Sequence, residues 1–299
     1  MLALLGRLPR RLLGGLGAWL GTLAYALGIR RAIAAGNLAL AFPEKTAKER
    51  RAIARTNYRH VGRSVLEAFA TARLNPTEIE RLLDAPGFAL VERLHAEGRG
   101  LVVASAHLGA WELLAAAYGR RGMQVNLVTR SLRGRSNAAL TTARAQSGLT
   151  EIPPRGALAL GAAALRRGEV VVNLVDQNML PKRGIFVRFF GEWACTTPAA
   201  SLMAMRTGAP VIVAVAVTLP DGRTRLCLEG PFPVPPGGSV AERARAHTQQ
   251  LVAAIERYVR AHPEQWFWLH RRWKTRPRKP PTEIAESGGA AAAPLSKTP

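Results

Sequence analysis

His107 and Glu112 are the two residues whose types and spacing best suit catalysis. They lie in residues 101–112, which read LVVASAHLGAWE. The apolar start predicts a buried strand, and Gly109 before a helical pattern from Trp111 predicts a tight turn and a helix N-terminus. A carboxylate on that first helical turn can reach one imidazole nitrogen, which would fix the tautomer and leave the other nitrogen as a base. The alternative is a helix-capping histidine beside a solvated Glu112.

The composition is that of a strongly basic, globular chain. The 299 residues carry a formal net charge of +22 and are 48% hydrophobic. The hydrophobic content excludes wholesale disorder, while the charge predicts attraction to nucleic acid, anionic lipid headgroups or a phosphorylated substrate. Cys195 and Cys227 are too few for a disulfide framework, so we predict buried free thiols. Neither a zinc-ligand spacing nor a Walker loop occurs in the sequence, and we predict no metal.

Residues 1–31 are predicted to form a membrane-anchoring helix. Arginines flank an uncharged stretch at 12–29, whose length is borderline for a span of about 20 residues. A signal sequence and a buried soluble helix are the alternatives. Residues 32–275 are predicted to form the globular domain. Residues 276–299, rich in proline and basic residues and then in alanine and glycine, are predicted to be a disordered tail.

The globular region has the pattern of an α/β protein. A capping box at 46–49 predicts a helix that runs to about Ala72, and beyond residue 100 apolar strands alternate with helices. We predict a mixed, largely parallel central sheet flanked by helices, with an N-terminal membrane-associating helix. Asp221-Gly222 predicts a closing hairpin. The predicted strands are 101–104, 124–129, 169–175, 210–218 and 225–229, and the later helices are 111–120, 136–147, 157–167, 198–206 and 241–261.

Several strand ends carry candidate binding residues. Asp176 and Gln177 follow a predicted strand, where ligands bind in α/β sheets, although an aspartate there can simply start a turn. Arg130 also follows a strand and could hold a phosphate, or be an ordinary surface charge. The apolar segment 184–191, which contains Arg188, could line an acyl groove or form an edge strand.

Three tryptophans stand close together near the end of the globular region. Trp266, Trp268 and Trp273 stand beside a group of cationic side chains in residues 263–274. Indole rings beside cations suit a membrane interface or a phosphate site. The alternative is a segment that docks its aromatic side chains on the core.

In their order and spacing, these segments resemble the bacterial lipid A biosynthesis acyltransferases, within the lysophospholipid/glycerolipid acyltransferase group. The resemblance extends from residue 1 to about Pro277. One departure is Asn178, since the family often has a further acid after Asp-Gln. The matching motifs are Asn37-Leu38, Phe42-Pro43-Glu44, His107-Leu108-Gly109-Ala110-Trp111-Glu112, Thr129-Arg130, Asp176-Gln177, Gly184 to Gly191, Thr196-Thr197-Pro198 and Pro263-Glu264-Gln265-Trp266.

The resemblance implies a catalytic dyad of His107 and Glu112. It implies transfer of a fatty acyl chain from an acyl carrier protein or coenzyme A thioester to a hydroxyl of an anionic lipid or glycolipid, such as a lipid A precursor. The thioester is a co-substrate, and no cofactor is expected. The helix N-terminus after Gly109 would bind the oxyanion. The expected substrate-binding residues are Gly109, Trp111, Arg130, Asp176, Gln177 and Arg188.

The resemblance further implies action at the membrane surface, on the cytoplasmic face of the bacterial inner membrane, without a specific nucleic-acid partner. Two alternatives remain at this stage. The acceptor could be another lipid, such as a phosphatidylinositol mannoside or a lysophospholipid. The chain could instead be a basic membrane- or nucleic-acid-binding protein without enzymatic activity, which would explain the charge but not the pairing of His107 with Glu112.

Overall fold

The computed structural model describes residues 8–71, 74–119, 121–129, 141–142, 144–145 and 148–279. Arg130, most of the predicted helix 136–147 and most of the predicted tail lie outside the described residues. Nine α-helices are assigned within the described part of the chain. They are α1 (Arg10–Ala26), α2 (Arg31–Ala41), α3 (Ala47–Thr71), α4 (Pro76–Leu82), α5 (Phe88–Ala96), α6 (Trp111–Gly119), α7 (Ala157–Arg166), α8 (Ala199–Thr207) and α9 (Val240–Ala261).

Seven strands form one mixed sheet, and two more form a separate hairpin. The strands are β1 (Leu83–Asp84), β2 (Leu101–Ser105), β3 (Val125–Val128), β4 (Leu149–Ile152), β5 (Val170–Leu174), β6 (Ile185–Phe189), β7 (Glu192–Thr196), β8 (Val211–Thr218) and β9 (Thr224–Glu229). The large sheet has the order β1-β9-β8-β2-β5-β3-β4. Its neighbouring strands run parallel except for β8 and β9, so the predicted mixed, largely parallel sheet is confirmed.

Each face of the sheet has its own hydrophobic core. In β8 the odd-numbered residues from Val211 to Val217 belong to one core, and Ile212, Ala214 and Ala216 belong to the other. Helices α2, α3, α7, α8 and α9 contribute to the first core, and α4, α5 and α6 to the second. Because both faces are covered, the central strands are apolar throughout rather than alternating.

Local signals in the sequence account for several helix and turn boundaries. The predicted capping box before α3 is present, because the Glu49 backbone N–H donates to the Thr46 hydroxyl and the Thr46 N–H donates back to the Glu49 carboxylate. The predicted Asp221-Gly222 hairpin joins β8 to β9 and is closed by a bond from the Leu219 N–H to the Arg223 carbonyl of 2.8 Å.

The segment 184–191 and the three late tryptophans had two interpretations each. Residues of the segment form β6, which pairs antiparallel with β7 in the separate hairpin, so it is a strand but not an edge of the large sheet. Trp266, Trp268 and Trp273 are buried in the first core, which confirms the interpretation that they dock on the core.

The N-terminal helix packs against the body of the domain. Its Leu13, Gly14, Gly17 and Gly21 are buried. Among the described residues, no single helix has both the length and the apolar composition of a membrane span. Helices α1 and α2, which meet at 90°, satisfy that criterion only when they are taken together.

Candidate active site

The two central residues of the site follow neighbouring parallel strands. Strand β2 ends at Ser105 and β5 ends at Leu174, and these two residues are paired in register. His107 and Asp176 therefore each stand two positions beyond a strand end, at the carboxyl edge of the sheet. This edge is where α/β folds bind ligands, and the register brings the two side chains together.

A buried carboxylate holds the His107 imidazole in one orientation. Asp176 Oδ1 lies 2.8 Å from His107 Nδ1. Asp176 Oδ2 accepts hydrogen bonds of 2.8 Å from the His107 backbone N–H and from the Trp266 indole N–H. Asp176 is only 4% exposed. Because three donors converge on it, the carboxylate stays ionised despite its burial.

The contact between His107 and Asp176 shifts their pKa values in opposite directions. Burial alone would lower the pKa of His107, but the charge and hydrogen bond of Asp176 outweigh it and raise that pKa above its ordinary value. Burial alone would raise the pKa of Asp176, but the contact with His107 outweighs it and lowers that pKa. The neutral imidazole therefore carries its proton on Nδ1, facing the carboxylate, and Nε2 has a lone pair with increased basicity.

The His107 side chain is partly exposed, and its second ring nitrogen has a weakly bound partner. The His107 side chain is 22% exposed, and its ring centroid lies 5.6 Å from that of Trp111 and 6.2 Å from that of Phe267. The Gln177 amide nitrogen lies 3.3 Å from His107 Nε2, a distance typical of a weak hydrogen bond. An incoming hydroxyl could therefore displace Gln177 from Nε2 at little cost.

Glu112 does not occupy the position that the sequence predicted. Its carboxylate forms a two-point ion pair with Arg144, with bonds of 2.6 and 3.1 Å, and Arg144 also binds Glu151 at 2.7 Å. Among the described residues, no hydrogen bond joins Glu112 to His107. The expected contact with the imidazole is made by Asp176 instead, while the charge of Glu112 contributes a smaller upward effect on the pKa of His107.

Gly109 allows the turn between β2 and α6 to approach β8 closely. Its φ is +61°, and a Cβ at this position would overlap the carbonyl oxygen of Ala216. The Gly109 N–H donates to the Gln265 carbonyl at 3.0 Å, and the Ala110 N–H donates to the Ala216 carbonyl at 2.8 Å. These two N–H groups are therefore unavailable to an oxyanion, contrary to the simplest expectation for this turn.

The next two N–H groups of the same turn are different. Trp111 and Glu112 begin α6, where backbone N–H groups have no partner within the helix. In the described part of the chain, neither N–H has a hydrogen-bond acceptor. Trp111 and Glu112 also line a small, shallow cleft between α1, α3 and α6. The cleft brings Arg10, Ser64 and Glu67 close to the same helix start.

One of the two predicted phosphate-binding arginines, Arg188, lies within the described residues. Arg130 lies outside the described residues. Arg188 lies on β6, where its guanidinium stacks 3.9 Å from the Trp193 ring centroid and donates to the Gly191 carbonyl at 2.9 Å. Its backbone N–H donates to the Gln249 side chain. These contacts are those of a residue that stabilises the β6–β7 hairpin.

Arg272 is a buried residue of the site region that the sequence did not single out. It is fully buried, and its guanidinium donates to the Gln177 carbonyl at 3.0 Å, the Cys195 carbonyl at 3.1 Å and the Thr196 hydroxyl at 2.6 Å. Burial lowers the pKa of Arg272 to about 10. The side chain thereby connects the loop after β5, which carries Asp176, to β7.

Arg144 and Arg272 were not predicted as site residues, because each acts through long-range contacts that no local motif encodes. Trp266 was named within the tryptophan-rich segment and a family motif, but its contact with Asp176 was not predicted. Among the described residues, no group of three or more histidine, cysteine, aspartate or glutamate side chains could hold a metal ion.

Comparison with known proteins identifies the family. The sequence model of the bacterial lipid A biosynthesis acyltransferases matches residues 1–275. The chain belongs to this acyltransferase family. A lipid A biosynthesis lauroyltransferase of Escherichia coli K12 is 29% identical over 94% of this chain and 92% of its own length. A palmitoleoyltransferase of the same strain is 28% identical over 91% and 88%, and a myristoyltransferase is 26% identical over 87% and 80%.

Composition left open whether the chain is an enzyme or a non-enzymatic binding protein, and membership of the acyltransferase family decides this question. The chain is an enzyme rather than a basic binding protein without activity. The family's relatives cover nearly the whole chain, so the acyltransferase assignment applies to the α/β domain that carries His107.

Proposed function

We propose that this acyltransferase moves a fatty acyl chain from an acyl carrier protein or coenzyme A thioester to a hydroxyl of a lipid A precursor. His107 is the general base. The observation that carries the proposal is the 2.8 Å contact between His107 Nδ1 and Asp176, together with the partial exposure of the His107 side chain. That arrangement gives a base of defined tautomer whose second nitrogen contacts the Gln177 amide, a partner that an acceptor hydroxyl can displace.

The first step is attack of the acceptor hydroxyl on the thioester carbonyl. The hydroxyl takes the place of the Gln177 amide at His107 Nε2 and transfers its proton there as the new C–O bond forms. The carbonyl π electrons become the oxyanion of a tetrahedral intermediate. Asp176, at Nδ1, stabilises the imidazolium that results. The charge of Glu112 adds a smaller effect in the same direction, which its partner Arg144 opposes. In this proposal the predicted role of Glu112 is therefore exerted by charge rather than by contact.

The second step is collapse of the tetrahedral intermediate. The oxyanion electrons re-form the carbonyl, the C–S bond breaks, and the sulfur leaves with the proton held on His107 Nε2. The N–H groups of Trp111 and Glu112, at the positive end of the α6 dipole, are well suited to stabilise the oxyanion between the two steps. The products are an ester and a free thiol, and the base returns to its neutral form.

Several features support an anionic lipid acceptor at a membrane surface, and we place this action at the cytoplasmic face of the inner membrane. The names of the relatives specify lauroyl, palmitoleoyl and myristoyl transfer in lipid A biosynthesis. The formal net charge of +22 favours a surface of anionic headgroups and an anionic glycolipid. Gly109 and Trp111 shape the turn next to His107, and Arg130 is proposed to bind phosphate of the acceptor or of the donor.

A transfer assay with purified protein tests this function. Labelled acyl carrier protein or acyl coenzyme A is incubated with a detergent-dispersed lipid A precursor, and the product is followed by its mass increase. We expect one ester to form per thiol released, and we expect His107→Ala to lower turnover by about three orders of magnitude or more. Near-normal turnover of His107→Ala would remove His107 as the base.

The identity of the acceptor is tested separately. Lipidomics of a deletion strain is expected to show lipid A lacking one secondary acyl chain. Normal lipid A with an altered phosphatidylinositol mannoside or lysophospholipid would keep the chemistry and replace the acceptor.

A further inference from the structure

One surface of α1 carries large apolar side chains that nothing in the domain covers. Six residues define this apolar stripe, and each is between 38% and 68% exposed. Residues 12–29 contain no charged side chain, whereas the outer face of an ordinary surface helix is charged or polar. An exposed apolar surface of this kind marks an interaction site. The stripe consists of Leu12, Leu16, Trp19, Leu20 and Leu23 of α1 and of Leu27, directly after its end.

The adjacent face of α1 is bound closely to α3. A Cβ at Gly17 would overlap the carbonyl oxygen of Gly62, and a Cβ at Gly21 would overlap that of Tyr58. The two helix backbones are therefore in direct contact, and only glycine fits between them. Gly14 lies in the same way against the Glu67 carboxylate.

Both ends of α1 are also attached to the domain. At its start, Arg10 forms an ion pair of 2.6 Å with Glu67 and donates to the Gly222 carbonyl in the β8–β9 turn at 3.3 Å. After its end, the Tyr58 hydroxyl donates to the Ile29 carbonyl. In the following helix, the buried Asn37 amide donates to the Trp268 carbonyl at 2.8 Å. The helix cannot tilt away from α3 without breaking these contacts.

The packing fixes how a bilayer could meet the stripe. If α1 crossed the membrane, the part of α3 in contact with it would enter the bilayer as well. That part carries the charged side chains Arg59, Arg63 and Glu67, and each charge near the bilayer centre costs several kcal/mol. If α1 instead lies parallel to the membrane, only the apolar stripe enters the lipid.

Basic residues stand where lipid headgroups would be. Arg31 and Arg55 lie 5.6 and 5.8 Å from the centroid of the Tyr25 ring, near the end of α1, and Arg11 is exposed at its start. Arginines at both ends of an apolar stripe are complementary to an anionic bilayer surface.

We propose that α1 lies in the plane of an anionic bilayer, with the apolar stripe in the lipid and α3 above it. This inference rests on the proposed action on a lipid and adds the orientation of the enzyme. Because Arg10 of α1 lines the same cleft as Trp111 and Glu112 at the start of α6, this orientation brings the helix start that follows His107 close to the headgroup level.

Vesicle binding tests the stripe. The full chain is sedimented with vesicles of phosphatidylethanolamine and phosphatidylglycerol, and the triple variant Leu16→Gln, Leu20→Gln, Leu23→Gln is compared with it. We expect the triple variant to partition onto the vesicles at least tenfold more weakly than the unmodified chain, because burial of apolar area drives interfacial binding. The matched control replaces three exposed apolar residues elsewhere, Leu160, Leu180 and Val240, and should bind as the unmodified chain does. Equal binding of the two triple variants would overturn the proposal. The proposal would also fail if the stripe variant changed its oligomeric state but bound the vesicles as strongly as the unmodified chain.

Labelling from one side of the membrane tests the orientation. In a Cys227→Ser background, since Cys195 is buried, single cysteines replace Arg11 or Ile29 in sealed inverted inner-membrane vesicles. A membrane-impermeant maleimide added outside should label both positions. Labelling of only one of them before the vesicles are opened would show that α1 crosses the bilayer and would overturn the proposal.

The transferase assay in detergent separates this inference from the proposed function. We expect the triple variant of the stripe to retain turnover on a detergent-dispersed acceptor and to lose it on vesicle-bound acceptor. Absence of transfer by the unmodified chain in detergent would count against the acyl-transfer proposal and leave the vesicle-binding result unaffected.

Discussion

The carboxylate of Asp176 occupies the Nδ1 side of the His107 ring because both residues stand two positions beyond paired strand ends. Ser105 of β2 and Leu174 of β5 are in register, and the Val175 N–H continues the ladder with a bond of 2.9 Å to the Ser105 carbonyl. The pair is therefore held by the sheet itself rather than by flexible loops. Such a position favours a base of constant orientation.

Asp176→Asn should inactivate the enzyme through the tautomer of His107. The oxygen that accepts from the His107 backbone N–H and the Trp266 indole would become the amide oxygen, so the amide NH₂ would face Nδ1. The imidazole would then carry its proton on Nε2 and could not accept one from a hydroxyl. We expect kcat to fall by about 10²- to 10⁴-fold, measured in the transfer assay.

Asp221→Asn is the control for this substitution. Asp221 is exposed in the β8–β9 turn and binds Arg223, so its loss should leave kcat unchanged. If Asp176→Asn kept more than half of the activity while Glu112→Gln abolished it, the assignment of Asp176 to Nδ1 would fail and the His107–Glu112 dyad would regain its predicted contact.

Glu112→Gln should change the pH dependence more than the maximal rate. A base must be unprotonated, so kcat/KM rises with pH through the pKa of His107, and the midpoint should lie above the ordinary value for histidine because Asp176 raises that pKa. Glu112 also raises the pKa of His107. Its neutralisation should therefore lower that pKa and move the midpoint to lower pH, measured as kcat/KM between pH 5 and 9.

Glu151→Gln is the matched control for the pH profile. Glu151 shares Arg144 with Glu112, so its neutralisation leaves the ion pair of Glu112 in place and should leave the midpoint where it is. A midpoint that moves upward in Glu112→Gln would contradict the charge role given to this residue.

The strands and most helices could be predicted because their signals are local. The apolar runs that became β2, β5 and β8 were each predicted to within one or two residues, and the capping box before α3 predicted its start. The short strands β1 and β4 were missed, because two and four residues give too little hydrophobic pattern to detect. Their pairing depends on neighbouring strands that lie elsewhere in the sequence.

The sequence predicted most of the residues that form the site, but it did not predict which of them contact one another. His107, Asp176 and Gln177 were all named, yet Asp176 was separated from His107 by 69 positions and could be placed beside it only if the β2–β5 register were known. Glu112 was the nearer acid in sequence and was paired with His107 for that reason. Glu112 instead pairs with Arg144, which lies 32 positions away, and no local motif predicted that contact.

Arg272→Met should destabilise the protein and displace the loop that carries Asp176. Methionine has a similar length but leaves the Gln177 carbonyl, the Cys195 carbonyl and the Thr196 hydroxyl without their donor. Each buried acceptor without a partner costs about 1–3 kcal/mol, so the free energy of unfolding should fall by about 3 kcal/mol or more in denaturant titrations. Arg271→Met, at the exposed neighbouring position, should change it by less than about 0.5 kcal/mol. Equal stability of the two variants would show that the buried guanidinium has no structural role.

Gly109→Ala should lower both stability and activity because it combines two kinds of strain. The position has a φ of +61°, which costs an alanine about 1 kcal/mol, and the new methyl group would overlap the Ala216 carbonyl oxygen. The turn can relieve that overlap only by moving away from β8, which breaks the bond between the Ala110 N–H and Ala216 and shifts His107.

Gly122→Ala separates the two effects, because Gly122 has a φ of +81° and no atom near the added methyl group. We expect the melting temperature to fall further in Gly109→Ala than in Gly122→Ala, and kcat to fall only in Gly109→Ala. Equal effects of the two substitutions would mean that the close approach of this turn to β8 does not position the base.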